Sequence, residues 1–454
     1  MKKILVFTTL FSSVIFGVNV ARAQEKCGLD LIMKELISKN PSLINVIDQY
    51  SLESQHAADA HEQLMLNAAQ KTTANVIIPV VFHIILNQNQ INAIGGVAGI
   101  RNRITTQMEV INTDFNARNH DSTAIPAPFK PFFGNPGISF QLAHTAFDGT
   151  ATDGYEIKIA DASVSGFDEN NDGAKSIPQG GLRPWDNTKY LNIWIVNLTN
   201  ETLLGYAYSP HFAKNVVGDV GRAGVVLDYG AFGVKPPTTP DYWFPAAFKG
   251  RTLTHELGHY FNLWHTWGRT SVGSGSCSQA PGQGDEVDDT PNQFDATQSC
   301  KTFPFFDQCT PSGNGIMYMN YMDYSGDACY RMFTKKQAAR MQVEVNPGGN
   351  SHSLTTNPQV LLWPTGITTF EQNNQISISP NPSNGIFNVN VVKSNNPLNI
   401  ITVTNSVGQV VKLINSFDDN KGSFNIDLSN NPKGVYILHM QFEEGSITRK
   451  VTVQ

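Results

Sequence analysis

The sequence has no long apolar run after its first residues, and it lacks the basic clusters of a nucleic-acid-binding protein. Beyond its first 20 residues, it contains no stretch resembling the run of about 20 apolar residues that is needed to cross a bilayer. It has no basic cluster and no arginine-rich run, and its net charge is −6. Because nucleic acids and anionic lipids are bound mainly through lysine and arginine, we expect neither as a partner.

Cysteine is scarce, with five residues in 454. No two of them form a CxxC pair, and their wide spacing disfavours a structural zinc site made of cysteines. Cys27 stands far upstream of the others, and this usage fits an exported protein. The residues alone leave three disulfide pairings open for the remaining four, which are Cys277, Cys300, Cys309 and Cys329.

The start of the chain carries an export signal. Met1-Lys2-Lys3 is followed by an apolar run over residues 4–20 and then by Ala21-Arg22-Ala23, an order that is typical of a cleaved signal peptide. We therefore expect a signal peptide over residues 1–23. No lipobox precedes Cys27, so we do not expect a lipid anchor.

The segment HELGHYFNLWH, residues 255–265, supplies the ligands of a hydrolytic zinc site. His255 and His259 lie one helical turn apart, so both imidazoles can bind one ion. His265 reaches that ion only if the chain turns first, and Asn262 readily adopts the left-handed conformation of such a turn. Three protein ligands leave a position for water, and Glu256 can accept a proton from it. The alternative is an amphipathic helix whose histidines merely pack.

Two further segments support a specific resemblance. NYMDYSGDAC at residues 320–329 is a methionine-containing turn, and GDEVDDTP at residues 284–291 lies between it and the histidines. Together with the zinc motif, they resemble the pappalysin family of metzincin peptidases over roughly residues 73–347. The resemblance implies an α+β catalytic domain, one catalytic zinc ion and protein or peptide substrates. Asn262 is a departure, because the family usually has glycine there.

The resemblance also implies roles for three residues of the methionine turn. Met322 would form the hydrophobic floor below the histidines, and the Tyr324 hydroxyl would support the oxyanion of the tetrahedral intermediate. Asp327 would lie at the bottom of the pocket for the residue after the scissile bond (P1′) and favour Arg or Lys there. A packed aromatic and a turn-forming Asp are the alternatives for Tyr324 and Asp327. The implied disulfides are Cys277–Cys309 and Cys300–Cys329.

Residues 24–72 read as a polar, helical propeptide, with apolar residues at spacings of three and four. The thiolate of Cys27 is a soft ligand that can occupy the open position on zinc. Related pappalysin-like zymogens are held latent in this way, so the resemblance implies a latent precursor. An unpaired thiol without a role and an intermolecular disulfide are the alternatives.

Two acidic loops are candidates for binding calcium. Asp285, Asp288, Asp289 and the Thr290 carbonyl offer hard oxygen ligands in a short turn, and the resemblance also points to calcium in this region. The loop at residues 168–173 resembles the first half of an EF-hand loop. Its second half contains proline and lacks the required glutamate, so we expect a solvated turn there.

Periodicity predicts several elements of the catalytic domain, residues 73–347. These are strands at residues 76–86, 191–196 and 225–227, a helix over 103–115 and the zinc-binding helix from about Arg251. Metzincins bind the substrate backbone on an edge strand of the sheet. The sequence does not show which strand of this chain is that edge strand.

The last part of the chain predicts a separate module. Residues 348–375 are polar and read as a linker, and residues 376–454 contain short alternating strands typical of a small β-sandwich. The PNPSNG start and the KGVYIL segment resemble the C-terminal sorting domain of type IX secretion substrates. The resemblance implies the type IX machinery as a partner and a secreted or cell-surface location.

The competing hypothesis is a binding role, either through a carbohydrate or adhesion module or through a catalytic scaffold without turnover. The aromatic residues of the C-terminal module lie within strand patterns that predict core. Glu256 would not be needed to hold a metal in an inactive scaffold. The sequence therefore predicts a secreted zinc endopeptidase made as a latent zymogen.

Overall fold

The structure is a computed structural model, and it describes most of the chain after residue 25. The described residues are 26–67, 76–161, 164–236, 243–269, 275–280, 282–364, 376–391, 398–405, 410–414, 422–442 and 445–454. The expected signal peptide lies outside them. No helix in these ranges is long and apolar enough to span a membrane.

A mixed β-sheet forms the centre of the catalytic domain. Its described strands are β1 (Val76–Leu86), β2 (Ile138–Leu142), β3 (Tyr155–Ile159), β4 (Leu191–Val196), β5 (Gly205–Tyr208) and β6 (Gly224–Asp228). Their order is β2-β1-β4-β6-β5, with β3 paired to the second half of β1. Strand β5 lies at one edge and is antiparallel to β6, whereas the other pairs are parallel. The buried β1 is consistent with its run of β-branched residues.

Helices surround this sheet and carry the site. They are α1 (Leu29–Lys39), α2 (Leu43–Asn67), α3 (Gln88–Ala93), α4 (Gly96–Asp114), α5 (Pro210–Phe212), α6 (Arg251–Tyr260) and α7 (Lys335–Val345). Helix α4 begins seven residues before the predicted start, because Gly95 takes a left-handed conformation that allows a helix to begin there. The helix with the zinc motif begins at Arg251, as predicted.

Helices α1 and α2 belong to residues 26–67, which we call the N-terminal segment. This segment packs against the catalytic domain: α1 contacts β5, and α2 contacts α7. Leu29, Ile32, Met33 and Ile47 are buried in the main hydrophobic core. The segment is thus an integral part of the folded precursor.

The C-terminal module consists of two antiparallel sheets with their own core. The strands are β7 (Ile376–Ser379), β8 (Ile386–Val391), β9 (Leu398–Asn405), β10 (Val410–Ile414), β11 (Ser423–Asp427), β12 (Gly434–Phe442) and β13 (Gly445–Val453). In the described part of the module, β10-β9-β12-β13 form one sheet and β11-β8-β7 the other. The predicted fold class is confirmed: N-terminal helices, an α+β domain and a small all-β module.

The first half of the expected linker packs against the catalytic domain. It contains two 3₁₀ helices, His352–Thr356 and Pro358–Leu361. Leu354 and Val360 are buried, and the Val360 carbonyl accepts hydrogen bonds from the backbone of residues 144 and 145. Residues 365–375 lie outside the described residues.

Candidate active site

Three histidines and a cysteine meet in the interior. The His259 Nε2 atom lies 3.2 Å from His255 Nε2 and 3.1 Å from His265 Nε2. One potential ligand atom from each of these residues and the Cys27 sulfur all lie within 4.8 Å of one another. Imidazole nitrogen and thiolate sulfur are the ligands that zinc prefers in proteins, so this donor set fits a zinc ion.

The end of α6 brings the third histidine to the other two. The helix stops at Tyr260, and Asn262 takes a left-handed conformation with φ of 68°. Its backbone N–H donates to the His259 carbonyl, and the Leu263 N–H donates to the Gly258 carbonyl. These bonds end the helix and reverse the chain. Asn262 therefore makes the turn that the sequence required of it.

Each imidazole is oriented by a contact on its outer nitrogen. His255 Nδ1 lies 2.7 Å from the Tyr321 carbonyl oxygen, and His259 Nδ1 lies 2.8 Å from that of Leu263. His265 Nδ1 lies 3.1 Å from the Asp30 carboxylate of the N-terminal segment. Such partners leave Nε2 facing the ligand position. Burial, followed by the neighbouring His265, lowers the pKa of His255 to about 3.

Below the cluster, Met322 packs directly on α6. A side chain at Gly258 would place its Cβ 2.3 Å from the Met322 sulfur. A larger residue at position 258 would therefore have to displace the end of the Met322 side chain. This glycine was not among the predicted site residues, although its place between two ligand histidines was a usable signal.

Glu256 and Tyr324 both face Cys27. The Cys27 thiol donates to the Glu256 carboxylate at 3.4 Å, and the Cys27 backbone N–H donates to the Tyr324 hydroxyl at 3.2 Å. Burial raises the pKa of Glu256 to about 8. This burial belongs to the precursor, in which Cys27 covers the carboxyl group.

Asp327 has two distinct surroundings. Its Oδ2 atom accepts hydrogen bonds from the backbone N–H groups of Lys249 and Arg251, where α6 begins, and so satisfies free donors of the helix N-terminus. Its buried Oδ1 atom has no hydrogen-bond partner among the described residues. Asp327 lines a cleft together with Lys26, Thr252, Glu256 and other residues. The carboxylate is thus both a helix cap and part of the cleft wall.

The N-terminal segment occupies the cleft along β5. The Leu204 N–H donates to the Lys26 carbonyl at 2.8 Å, and the Gly28 N–H donates to the Gly205 carbonyl at 2.8 Å. Cys27 and Gly205 form a parallel β-bridge. The segment therefore lies as a short added strand on the sheet edge that the sequence did not identify.

Helix α2 also binds the turn between the ligand histidines. Ser54 Oγ accepts a hydrogen bond from the Asn262 side chain at 2.8 Å, and Ser51 Oγ accepts one from the Trp264 indole at 2.9 Å. The Arg340 guanidinium donates to the same Ser51 hydroxyl at 2.8 Å. These contacts could not be predicted from the sequence, because they depend on how two distant helices pack.

The structure does not gather the residues predicted to bind calcium. The Asp285 carboxylate accepts hydrogen bonds from the Thr290 hydroxyl, whereas Asp288 and Asp289 bind the side chain and the backbone of Lys336, respectively. Within the described ranges, the gathered set of metal-binding side chains is that of Cys27 and the three histidines. Calcium binding by Asp285, Asp288, Asp289 and Thr290 therefore stays a prediction.

The second acidic loop is not the solvated turn that the sequence predicted. Asp172 is 2% exposed and left-handed, with φ of 56°. Its carboxylate lies 3.0 Å from the buried Lys175 ammonium and accepts a hydrogen bond from the Tyr206 hydroxyl of β5 at 2.8 Å. Lys175 therefore pairs with Asp172 inside the protein.

Disulfides join Cys277 to Cys309 and Cys300 to Cys329. The second one ties the end of the methionine turn to the loop that follows the zinc motif. Cys27 is a free, buried cysteine.

Comparisons with known proteins agree with this site. The family model described as pregnancy-associated plasma protein-A, peptidase family M43, matches residues 181–346, and the secretion system C-terminal sorting domain matches residues 377–454. An extracellular metalloprotease of Arthroderma benhamiae is 30% identical over 277 residues, which are 60% of this chain and 73% of the relative.

Solved structures provide a second comparison. Mature mirolysin of Tannerella forsythia, in complex with a cleaved peptide, is 35% identical with a TM-score of 0.55, covering 63% of this chain and 97% of that chain. Promirolysin of the same organism is 32% identical with a TM-score of 0.58, covering 73% of this chain and 97% of that chain. The likeness to a proenzyme indicates that this chain is made as a zymogen. The chain thus belongs to the M43, or pappalysin, family and is a metalloendopeptidase exported through a C-terminal sorting domain of the type IX secretion system.

Proposed function

We propose that this chain is a zinc-dependent endopeptidase that cleaves proteins before Arg or Lys after its N-terminal segment is removed. His255, His259 and His265 would hold the zinc ion, and Glu256 would be the general base. The observation that carries the proposal is the meeting of three histidine nitrogens in one buried cluster with Cys27, whose thiol contacts Glu256. A bound zinc ion lowers the pKa of water and polarises the scissile carbonyl.

The protein's own residues would carry the proton and support the charge. Glu256 accepts the proton of the attacking water and then passes it to the leaving amine. The Tyr324 hydroxyl donates a hydrogen bond to the oxyanion of the tetrahedral intermediate. Gly205 offers a backbone carbonyl on β5, which binds the Gly28 N–H in the precursor, to the substrate backbone. Met322 supports the histidines from below.

The preference for Arg or Lys at P1′ rests on Asp327. Its Oδ1 atom is buried and has no hydrogen-bond partner among the described residues, an arrangement that favours a cationic side chain. Lys26 enters the same cleft and donates from Nζ to the Tyr324 carbonyl at 2.5 Å. The precursor thus already places a basic side chain where we propose that the substrate's basic side chain binds.

Latency would come from residues 24–72 as a propeptide, following a signal peptide at residues 1–23. Cys27 would take the fourth position on the metal, and residues 26–28 cover the edge strand. Cutting near Thr73 would free the catalytic domain, residues 73–347. A linker over 348–375 would join that domain to the sorting module at 376–454.

The test is to map the cuts that the matured full chain makes in a denatured protein, with and without a zinc chelator. Chelator-sensitive cuts before Arg and Lys are expected. Asp327→Asn retains an oxygen for the N-terminus of α6 but removes the charge, so it should abolish the basic preference while cleavage continues. Cuts without a preference in the unmodified enzyme would contradict the Asp327 pocket. An absence of chelator-sensitive cuts would contradict the whole proposal.

A further inference from the structure

The N-terminal segment crosses the whole active-site cleft, and its two ends lie in different surroundings. Lys26 lies at the Asp327 end. Cys27 faces the histidines, and Leu29 lies beyond them in a second cleft. Since residues 26–28 run parallel to β5, the direction of the segment along this edge strand is fixed.

The second cleft, which we call the Leu29 cleft, has mainly apolar walls on the catalytic domain. Ala207, Phe212, Leu263 and Trp264 are among its apolar residues, together with Val216 on the turn of π-helix after α5. Ser209, His211 and Asn262 are polar residues that also line the cleft, beside the proposed ligand His259. The N-terminal segment closes the cleft with the side chains of Leu29 and Ile47, which are 4% and 3% exposed. Removal of the segment would uncover these walls.

The direction of a substrate follows from the P1′ pocket, so this inference rests on the proposed function. If the residue after the scissile bond binds beside Asp327, the residues before that bond extend past the histidines towards the Leu29 cleft. A substrate then runs opposite to the N-terminal segment, whose Lys26 precedes Leu29 in sequence. The residues before the cut therefore meet the walls that bind Leu29 and Ile47 in the precursor.

We propose that the mature enzyme has a second specificity site, the Leu29 cleft, which binds an aliphatic side chain within the three residues before the scissile bond. Apolar walls favour such a side chain because its burial removes apolar surface from water, and they disfavour a charge left without a partner. The enzyme would thus recognise an apolar residue on one side of the cut and a basic residue on the other.

The test uses matured full-length enzyme and a peptide library with Lys fixed at P1′ and the three preceding positions randomised. Peptides with Leu, Ile or Met at one of these positions should be cleaved with a kcat/KM at least about tenfold higher than peptides with Asp or Lys there. Equal rates for apolar and charged residues at all three positions would overturn the second site. The Asp327 pocket would still stand if cleavage before Lys continued.

A charge placed in the cleft provides the decisive variant. Val216→Asp should move the preference before the cut from aliphatic towards basic residues and leave the P1′ preference unchanged. Val220→Asp is the matched control, because Val220 is 49% exposed and lies near in sequence but is not part of the cleft wall. If Val216→Asp does not fold, Val216→Ala should lower kcat/KM for the Leu peptides several-fold. An unchanged profile in the folded variant would contradict the proposal.

Discussion

At the scale of single residues, Asn262 shows why this chain departs from glycine in the turn between its ligand histidines. Its side-chain amide donates to Glu344 at 3.3 Å and to Ser54 at 2.8 Å, while its carbonyl accepts from Arg340 at 2.7 Å. Glycine can adopt the same left-handed turn but cannot make the two amide contacts. Asn262 thus ties the metal-binding turn to α7 and to the N-terminal segment.

This tie predicts the effect of Asn262→Gly. The variant should fold with the same turn but lose about 1–2 kcal/mol of precursor stability, because two buried hydrogen bonds are removed. Denaturant unfolding of the zinc-loaded precursor measures the loss. Asn112→Gly would be a poor control, because glycine within a helix is destabilising by itself. The comparison is therefore with Ser54→Ala, which removes one of the two contacts. Unchanged stability in both variants would show that the amide does not support the turn.

Glu256 gives a second prediction at this scale. Glu256→Gln has the same size but cannot accept a proton, so turnover should fall by a factor of roughly a hundred to ten thousand. The variant should still bind zinc, because the three histidines are unchanged. Peptide hydrolysis and zinc content of the purified protein measure the two effects. Glu109→Gln, at an exposed position on α4, is the control. Retained activity in Glu256→Gln would remove this residue from the mechanism.

The start of α6 depends on an ion pair that should respond to acid. Arg251 binds both Asp121 oxygens, at 2.6 and 2.7 Å. Burial works against ionisation, but the hydrogen bonds and charge of Arg251 outweigh it and hold the pKa of Asp121 below its ordinary value of 3.8. Lys249 and Arg331 also face this carboxylate, each at 3.5 Å.

A carboxyl group whose pKa is lower in the folded state contributes stability above its unfolded pKa, and this contribution is lost as the pH falls through the folded value. The precursor should therefore lose stability below about pH 4. Asp121→Asn should be less stable near neutral pH and lose less stability on acidification. Denaturant unfolding between pH 3 and 7 measures both changes. Parallel pH curves for the two proteins would contradict this assignment.

At the scale of elements, the sequence predicted what is encoded locally. The spacing of His255 and His259 predicted α6, and the β-branched run of β1 predicted a buried strand. Helix α7 was missed, although Thr334 and Gln337 form a capping box that can be read from the sequence. Strand β5 was missed because it has only four residues and becomes an edge through pairing with a later strand.

Non-local pairing also decides which cationic side chains the acidic residues near position 285 contact. The acidic residues near 285 resemble a calcium loop, but their partners come from elsewhere: Lys336 at the start of α7 binds Asp288 and Asp289. Glu286 lies in a buried cluster with Arg269 and Arg340. A pattern of carboxylates does not indicate which cations the fold will bring to them.

The N-terminal segment gives the prediction at this scale. It holds the catalytic domain through the Cys27 side chain, the backbone pairing on β5 and the serines of α2. Cys27→Ala removes the first contact alone, so the precursor should process itself earlier but not lose the segment at once. Electrophoresis of the purified precursor over time measures this. In the double variant Cys27→Ala with Glu256→Gln, self-processing should stop. Unchanged latency in Cys27→Ala alone would contradict the role of the Cys27 thiol in latency.

At the scale of the whole molecule, the C-terminal module has a hydrophobic core of its own, although Ile400 of β9 packs in the core of the catalytic domain. Phe387, Val403 and Leu438 belong to that core, and the strand alternation that predicted it was local and regular. The sorting role and the catalytic role therefore reside in different parts of the fold, and removing one should not unfold the other.

A chain ending at Trp363 tests this independence. It retains the two 3₁₀ helices that pack on the catalytic sheet, so its thermal midpoint should lie within a few degrees of the catalytic transition of the full chain. After maturation it should cleave peptides at the same rate, but in a cell with a type IX system it should stay inside the outer membrane. Peptidase assays on cell fractions distinguish the two effects. Secretion of the shortened chain would mean that sorting does not depend on the C-terminal module. Loss of folding would mean that contacts of the module, such as that of Ser446 with the Ala151 carbonyl, support the catalytic domain.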